Sequence, residues 1–179
     1  NQTDNHLKKF NKEILNLKSL LTIEPNSDEL KRILNRQIFI SAIGTMETFL
    51  SEIFLIKTFN KTENLKRFIG SHPFFKQSKF ELRDIFKEYE QIEETAKKVI
   101  LDTIFHNLPV VSNMYKTTFG IEFPSIKNMY KNVSHRHDLV HRNGKTKEGK
   151  DVSIEDADII KLIEELNTFI LEIATSFDL

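Results

Sequence analysis

Apolar positions recur at three- and four-residue steps along most of the chain, the spacing that lines one face of an α-helix. Leu7, Phe10, Ile14, Leu17 and Leu21 make the first such stripe, with Asp4 placed to cap it. Pro25 breaks the pattern, so Ile23 to Asn26 reads as a loop. Ser27 or Asp28 then caps a helix running to about Asn60. Its stripe is Phe39, Ile43, Met46, Leu50 and Ile53, and Ile38, Ile40, Phe49, Phe54 and Leu55 add apolar residues on other faces. A helix apolar nearly all round belongs at the centre of a bundle. Ser41 and Gly44 on one side of it predict close approach of another backbone.

Thr62 to Gly70 reads as a short helix stopped by Gly70 and Pro73. Ser78 with Glu81 has the spacing of a capping box. It opens a helix through Phe80, Ile85, Phe86, Tyr89, Ile92, Ala96, Val99, Ile100, Ile104 and Phe105. Pro109 suits the first turn of another helix, which Gly120 ends. Pro124 and Ser125 start the next, carrying Ile126, Met129, Val133 and Val140 and stopped by Asn143-Gly144. Lys145 to Asp151 is a charged loop. Ser153 with Asp156 caps the last helix, whose stripe is Ile159, Leu162, Ile163, Leu166, Phe169, Ile170, Ile173 and Phe177. No alternating strand pattern, internal repeat or low-complexity tract interrupts this order. The pattern predicts an all-α fold: one domain over residues 1–179, a bundle of four to five main helices with short accessory ones.

Composition sharpens the picture at three points. Lys+Arg and Asp+Glu each number 26, so the net charge is zero. That excludes a broadly basic nucleic-acid coat and leaves a local phosphate site open. With no cysteine among 179 residues, disulfides and thiolate metal sites are excluded. The chain has no signal-peptide pattern and no long charge-free apolar run, so we expect a cytoplasmic protein without a membrane partner. It opens with Asn1 rather than Met, so we expect a fragment of a longer protein with a neighbouring domain.

The candidate chemistry lies in Ser134-His135-Arg136-His137-Asp138-Leu139-Val140-His141-Arg142-Asn143-Gly144. The chain has 6 histidines, and His135, His137 and His141 fall in this one segment. His137 and His141 lie about 40° apart around a helix, on one face. Arg136 is offset by about 100°, within the lean of a long side chain. Leu139 and Val140 are expected to anchor the turn in the core. An imidazole titrating near neutrality can take or give a proton, and a fixed guanidinium can hold phosphate oxygens. RNA carries its own nucleophile in the 2′-hydroxyl, so these tools suit phosphodiester cleavage without a metal or cofactor. Two alternatives stand beside this reading. The cluster can be surface charge matched to a helix C-terminus. Alternatively His137 and His141 ligate an ion with Asp138 or His135, although a third ligand is not obvious.

Other residues carry similar pairs of readings. Glu47 either supports Arg136 or points outward. Asp138 is better read as an i,i+4 partner of Arg142 than as a catalyst. Asn143 can reach RNA, yet Asn-Gly is first a turn. Lys145, Lys147 and Lys150 guide RNA or are simply solvated. Phe74 and Phe75 are core or dimer contacts before they are base-stacking groups, and His106 is a helix-terminal residue before a catalyst.

Arg136-His137-x-x-x-His141 resembles the Arg-x4-6-His motif of the HEPN superfamily. Asp138 to Gly144 is similar to bacterial HEPN domains related to phage-defence ribonucleases. Ser41-Ala42-Ile43-Gly44-Thr45-Met46-Glu47-Thr48-Phe49-Leu50 is similar to the first long helix of those domains. The resemblance implies a helical bundle that forms a homodimer with both motifs at a shared cleft. It implies metal-independent cleavage of an RNA substrate, leaving a 2′,3′-cyclic phosphate and a 5′-hydroxyl. Arg136 would then hold the scissile phosphate, His141 act as general acid/base and His137 orient the site, with Glu47, Asp138, Arg142 and Asn143 in support. The biological setting implied is phage defence or a toxin–antitoxin pair, with an antitoxin or fused sensor domain as a further partner. Some members of the superfamily are non-catalytic dimerisation, RNA-binding or sensing modules, which is the alternative.

Overall fold

Helical periodicity is realised throughout the computed structural model, which describes residues 2–178. The helices are α1 (Gln2–Leu20), α2 (Asp28–Phe59), α3 (Thr62–Ser71), α4 (Pro73–Gln77), α5 (Ile85–Leu101), α6 (Leu108–Phe119), α7 (Lys127–His141) and α8 (Asp156–Thr175). A 3-10 turn, Leu82–Asp84, precedes α5. The extended pairing among the described residues is one isolated antiparallel bridge, Lys145 with Asp151. The fold is therefore an all-α helical bundle, as the apolar spacing predicts. It divides into two compact units, one holding the chain up to Phe49 together with Pro124 onward, the other Leu50–Phe123.

In the first unit the central positions of the expected stripes are buried, whereas Leu7, Leu21, Ile126, Val133 and Phe177 are only part-buried, and Leu21 and Phe177 lie beyond the ends of α1 and α8. Phe10, Ile14 and Leu17 of α1 are in the core, and the Phe10 and Phe49 rings lie 5.6 Å apart. Ile38, Phe39, Ala42, Ile43 and Met46 of α2 are buried, as are Ile159, Leu162, Ile163, Leu166, Phe169, Ile170 and Ile173 of α8. Burying each such aliphatic or aromatic side chain contributes about 1.5–3 kcal/mol relative to exposure. Met129 and Leu139 anchor α7, and Asn132 Nδ2 donates to Glu165 of α8 at 2.6 Å. Asn35, buried in α2, donates to the Ile154 carbonyl at 3.0 Å and to Asp156 at 2.8 Å, fixing the entry to α8. The α7–α8 connection is thereby tied to α2 by hydrogen bonds as well as by packing.

In the second unit Phe54 is the centre of an aromatic cluster. Its ring lies 5.0 Å from Phe119, 5.3 Å from Tyr115, 5.5 Å from Phe68 and 6.3 Å from Phe105. Tyr115 is fully buried and donates its hydroxyl to the Leu50 carbonyl at 2.6 Å; burial pushes its phenol well above the usual range. Pro109 sits in the first turn of α6, and Gly120 closes it at φ +74°, both as the sequence implies.

Several local expectations are corrected. α1 begins at Gln2, so Asp4 lies within the helix; the Asp4 side chain falls outside the described part. Ser27, one of the two expected caps, does cap α2, accepting from Leu30 N at 3.2 Å. Gly70 lies inside α3, and Pro73 begins the short α4 instead of ending a helix. The Ser78–Glu81 box does not form. Ser78 Oγ donates to the Phe74 carbonyl at 2.7 Å, closing α4, and Glu81 pairs with Arg83 at 2.9 Å. The following helix therefore starts at Ile85 and ends at Leu101, short of Phe105. α7 starts at Lys127, after Pro124 and Ser125. α8 is capped by Glu155 and Asp158 reciprocally, not by Ser153 and Asp156. A Cβ at Gly44 would meet nothing within 4 Å, so no backbone among the described residues uses the approach that Ser41 and Gly44 allow. α2 is long and apolar enough to cross a membrane by length and composition; half of that stretch is buried inside the chain.

Candidate functional site

The last two turns of α7 carry the predicted chemistry. Leu139 is buried and holds these turns to the first unit, whereas Val140 is 42% exposed and is not the second anchor expected. With Leu139 inward, the helix period turns His137 and His141 together to solvent. Their ring centroids are 4.6 Å apart, tilted by 41°. His135 turns the other way, its ring 6.4 Å from that of Phe39.

Arg136 points toward α2. Its guanidinium Nη2 is 3.9 Å from Glu47 Oε1, with the two side chains 20% and 22% exposed. That separation is an ion pair rather than a hydrogen bond. Glu47 therefore supports Arg136, the first of its two readings. Arg136 Nε is buried and has no hydrogen-bond partner among the described residues. A buried donor left unmade is costly, so Nε is a local destabilising feature of the α2–α7 contact.

Asp138 and Arg142 form the i,i+4 pair that their spacing suggests. The same pair lines an open groove of about 560 Å³ with Ser134, His135, His137 and Lys147. Arg136 and His141 do not line that groove. Within one chain, then, Arg136 and the groove lie on different sides of α7, and the imidazoles that reach the groove are His135 and His137. Lys145 and Lys150 remain exposed beyond it.

His137 lies below its ordinary pKa of 6.5. Partial loss of hydration is the main cause, followed by the positive fields of His141, Arg142 and Arg136; Asp138 opposes them. A neutral His137 is thus available as a proton acceptor at neutral pH. Among the described residues no three His, Asp or Glu side chains converge on one ion site. The pair His137 and His141 therefore lacks the third ligand that a metal site would need.

Asn143 has a left-handed φ of +50° and Gly144 one of +79°, so the Asn-Gly pair is the turn that stops α7. A Cβ on Gly144 would stand 3.1 Å from Arg36 Nη1, the mobile tip of a side chain that can shift, so the left-handed φ is the reason for glycine here. Arg36 also donates to the Asn143 carbonyl at 3.5 Å. The sequence reading missed Arg36 and its neighbour Arg32. Their signal is two arginines at i,i+4 spacing in the polar first turns of an otherwise apolar helix. Phe74 is half exposed, Phe75 packs on Phe68 at 5.8 Å, and His106 lies in the turn before α6. No family model, curated protein or solved structure matches the chain.

Proposed function

We propose that the chain is a metal-independent endoribonuclease of the HEPN type, cleaving RNA at a composite site shared by two copies. The setting proposed is cytoplasmic, in phage defence or a toxin–antitoxin system, under control of an antitoxin or a fused sensor domain. The observation that carries the reading is the exposed His137–His141 ring pair on the turn that also delivers Arg136.

In this reading an imidazole takes the proton of the RNA 2′-hydroxyl as the oxygen attacks the adjacent phosphorus. The bond from phosphorus to the 5′-oxygen breaks, and the leaving oxygen receives a proton. The products are a 2′,3′-cyclic phosphate and a 5′-hydroxyl. His141 is the acid/base and His137 orients it. Arg136, paired with Glu47 through Nη2, meets the charge that develops on the phosphate oxygens. The separation of Arg136 from the groove of His137 motivates the second copy: a twofold pairing brings one chain's guanidinium to the other's imidazoles.

The test is incubation of purified protein with single-stranded RNA in excess chelator. Cleavage with cyclic-phosphate ends is expected, reduced at least ~100-fold by His141→Ala and by Arg136→Ala. Cleavage by His141→Ala at the unaltered rate refutes the assignment. The alternative is a non-catalytic dimerisation, RNA-binding or sensing module, favoured by the turn of Arg136 away from the groove of His137. It predicts a stable dimer and no turnover under any of these conditions.

A further inference from the structure

A second groove, of about 550 Å³, lies between the first turns of α2 and the segment after α7. Arg32, Arg36, Asn143 and Gly144 line it, with Glu29 and Asp151 at its acidic positions. We propose that this groove is a phosphate-binding subsite for a single RNA strand, with Arg32 and Arg36 as the phosphate ligands; the assignment rests on RNA being the substrate of the neighbouring α7 site.

Three observations support it. Arg32 and Arg36 are one helical turn apart and so face the same way, into one concavity. Neither enters an ion pair among the described residues, although Glu29 and Asp151 line the same groove. Arg36 has only the Asn143 carbonyl, at the long distance of 3.5 Å, and most of its donors stay open. Two guanidiniums without ion-pair partners leave open donors, whose planar forks match phosphate oxygens, although Glu29 and Asp151 balance their charge in the same concavity. The volume lies in the range that holds a small ligand or one nucleotide.

Continuity with the α7 site gives the groove its role. Asn143 and Gly144 line it, and they follow His141 directly through Arg142. A strand whose scissile phosphate lies at His141 continues across this turn, so its next phosphates meet Arg36 and then Arg32. The acidic pair Glu29 and Asp151 repels the same strand and moderates its affinity. Such a groove grips the sugar–phosphate backbone without reading bases.

Binding is measured by fluorescence anisotropy of a labelled mixed-sequence single-stranded RNA. The His141→Ala background keeps the RNA intact. Arg32→Ala and Arg36→Ala are each expected to raise Kd about 5- to 10-fold and to lower the salt slope by about 0.7, as for one lost phosphate contact. Arg36→Lys should retain most of the slope. Glu29→Gln and Asp151→Asn should tighten binding, a change of sign that loss of structure does not produce. Arg32 makes no hydrogen bond or ion pair among the described residues, so its variant reports binding without loosening the turn. Unchanged Kd and slope in Arg32→Ala overturn the subsite, even where the unaltered chain cleaves RNA. Weakened binding in Arg32→Ala supports it, even where the unaltered chain cleaves nothing and the ribonuclease reading alone falls.

Discussion

His72 and His137 share a titration direction and its leading cause, lost hydration, and neighbouring charge adds to it only at His137, which belongs to the proposed site. His72 sits among Phe68, whose ring is 5.1 Å away, and Phe75, and burial lowers its pKa below 6.5. Its Nδ1 accepts from Phe74 N at 3.2 Å and so caps α4, a bond that only the neutral ring can make. The folded state therefore binds fewer protons here than the unfolded state once pH falls below 6.5. The cap's contribution is full above that value and is lost as pH drops from 6.5 through the lowered folded value. His137 titrates low mainly through lost hydration, then through neighbouring positive charge, and so stays neutral where an ordinary histidine begins to charge. NMR titration of the ring protons should place both midpoints below 6.5. Arg142→Ala should raise the His137 midpoint, because it removes a repelling cation and frees Asp138 from its partner. An unchanged or lower midpoint in that variant contradicts the electrostatic account of the α7 cluster.

The helices differ in how much stability their apolar residues hold, and the difference follows burial rather than pattern. α8 buries Ile163 completely, whereas Phe86 at the start of α5 is 80% exposed. Ile163→Ala should cost ~2–5 kcal/mol, the usual cost of truncating a core aliphatic side chain. Phe86→Ala should stay within ~0.5 kcal/mol. Urea unfolding midpoints of the two variants check this; equal losses would mean that Phe86 is covered in solution. The same contrast explains what was legible in the sequence. The stripes of α2 and α8 coincide with buried residues. Phe80, Ile85, Phe86 and Tyr89 have equally good spacing, yet they are exposed, because periodicity records which residues share a face and not what covers it. Helix ends were less legible. Ser78 serves the C-terminus of α4 because its hydroxyl finds a nearer acceptor in the Phe74 carbonyl. Glu155 takes the α8 cap because Asp158 returns its hydrogen bond. At the site, adjacency in sequence placed His137, His141 and the Asp138–Arg142 pair. Arg32 and Arg36 come more than a hundred residues earlier, and only folding carries them to the Asn143-Gly144 turn.

At the scale of the molecule, a net charge of zero deprives RNA of any strong long-range attraction. On the proposed reading, affinity then comes from local groups such as Arg32, Arg36 and Arg136, each acting within a Debye length of about 8 Å at physiological salt. The proposed reaction makes a further demand on the assembly. Arg136 leans on Glu47 while His137 opens to the groove on the other side of α7, so one chain alone presents the charge clamp and the proton carriers apart. A site completed by a second copy is active only as a dimer, and its rate per chain depends on how much dimer is present. Cleavage of a labelled RNA, followed as the protein is diluted, should show constant rate per chain at high concentration. Below the dimer dissociation constant, measured separately by sedimentation, the rate per chain should fall in proportion to concentration. A rate per chain that stays flat well below that constant means that one copy suffices. The roles of Arg136, His137 and His141 would then have to be met within a single α7.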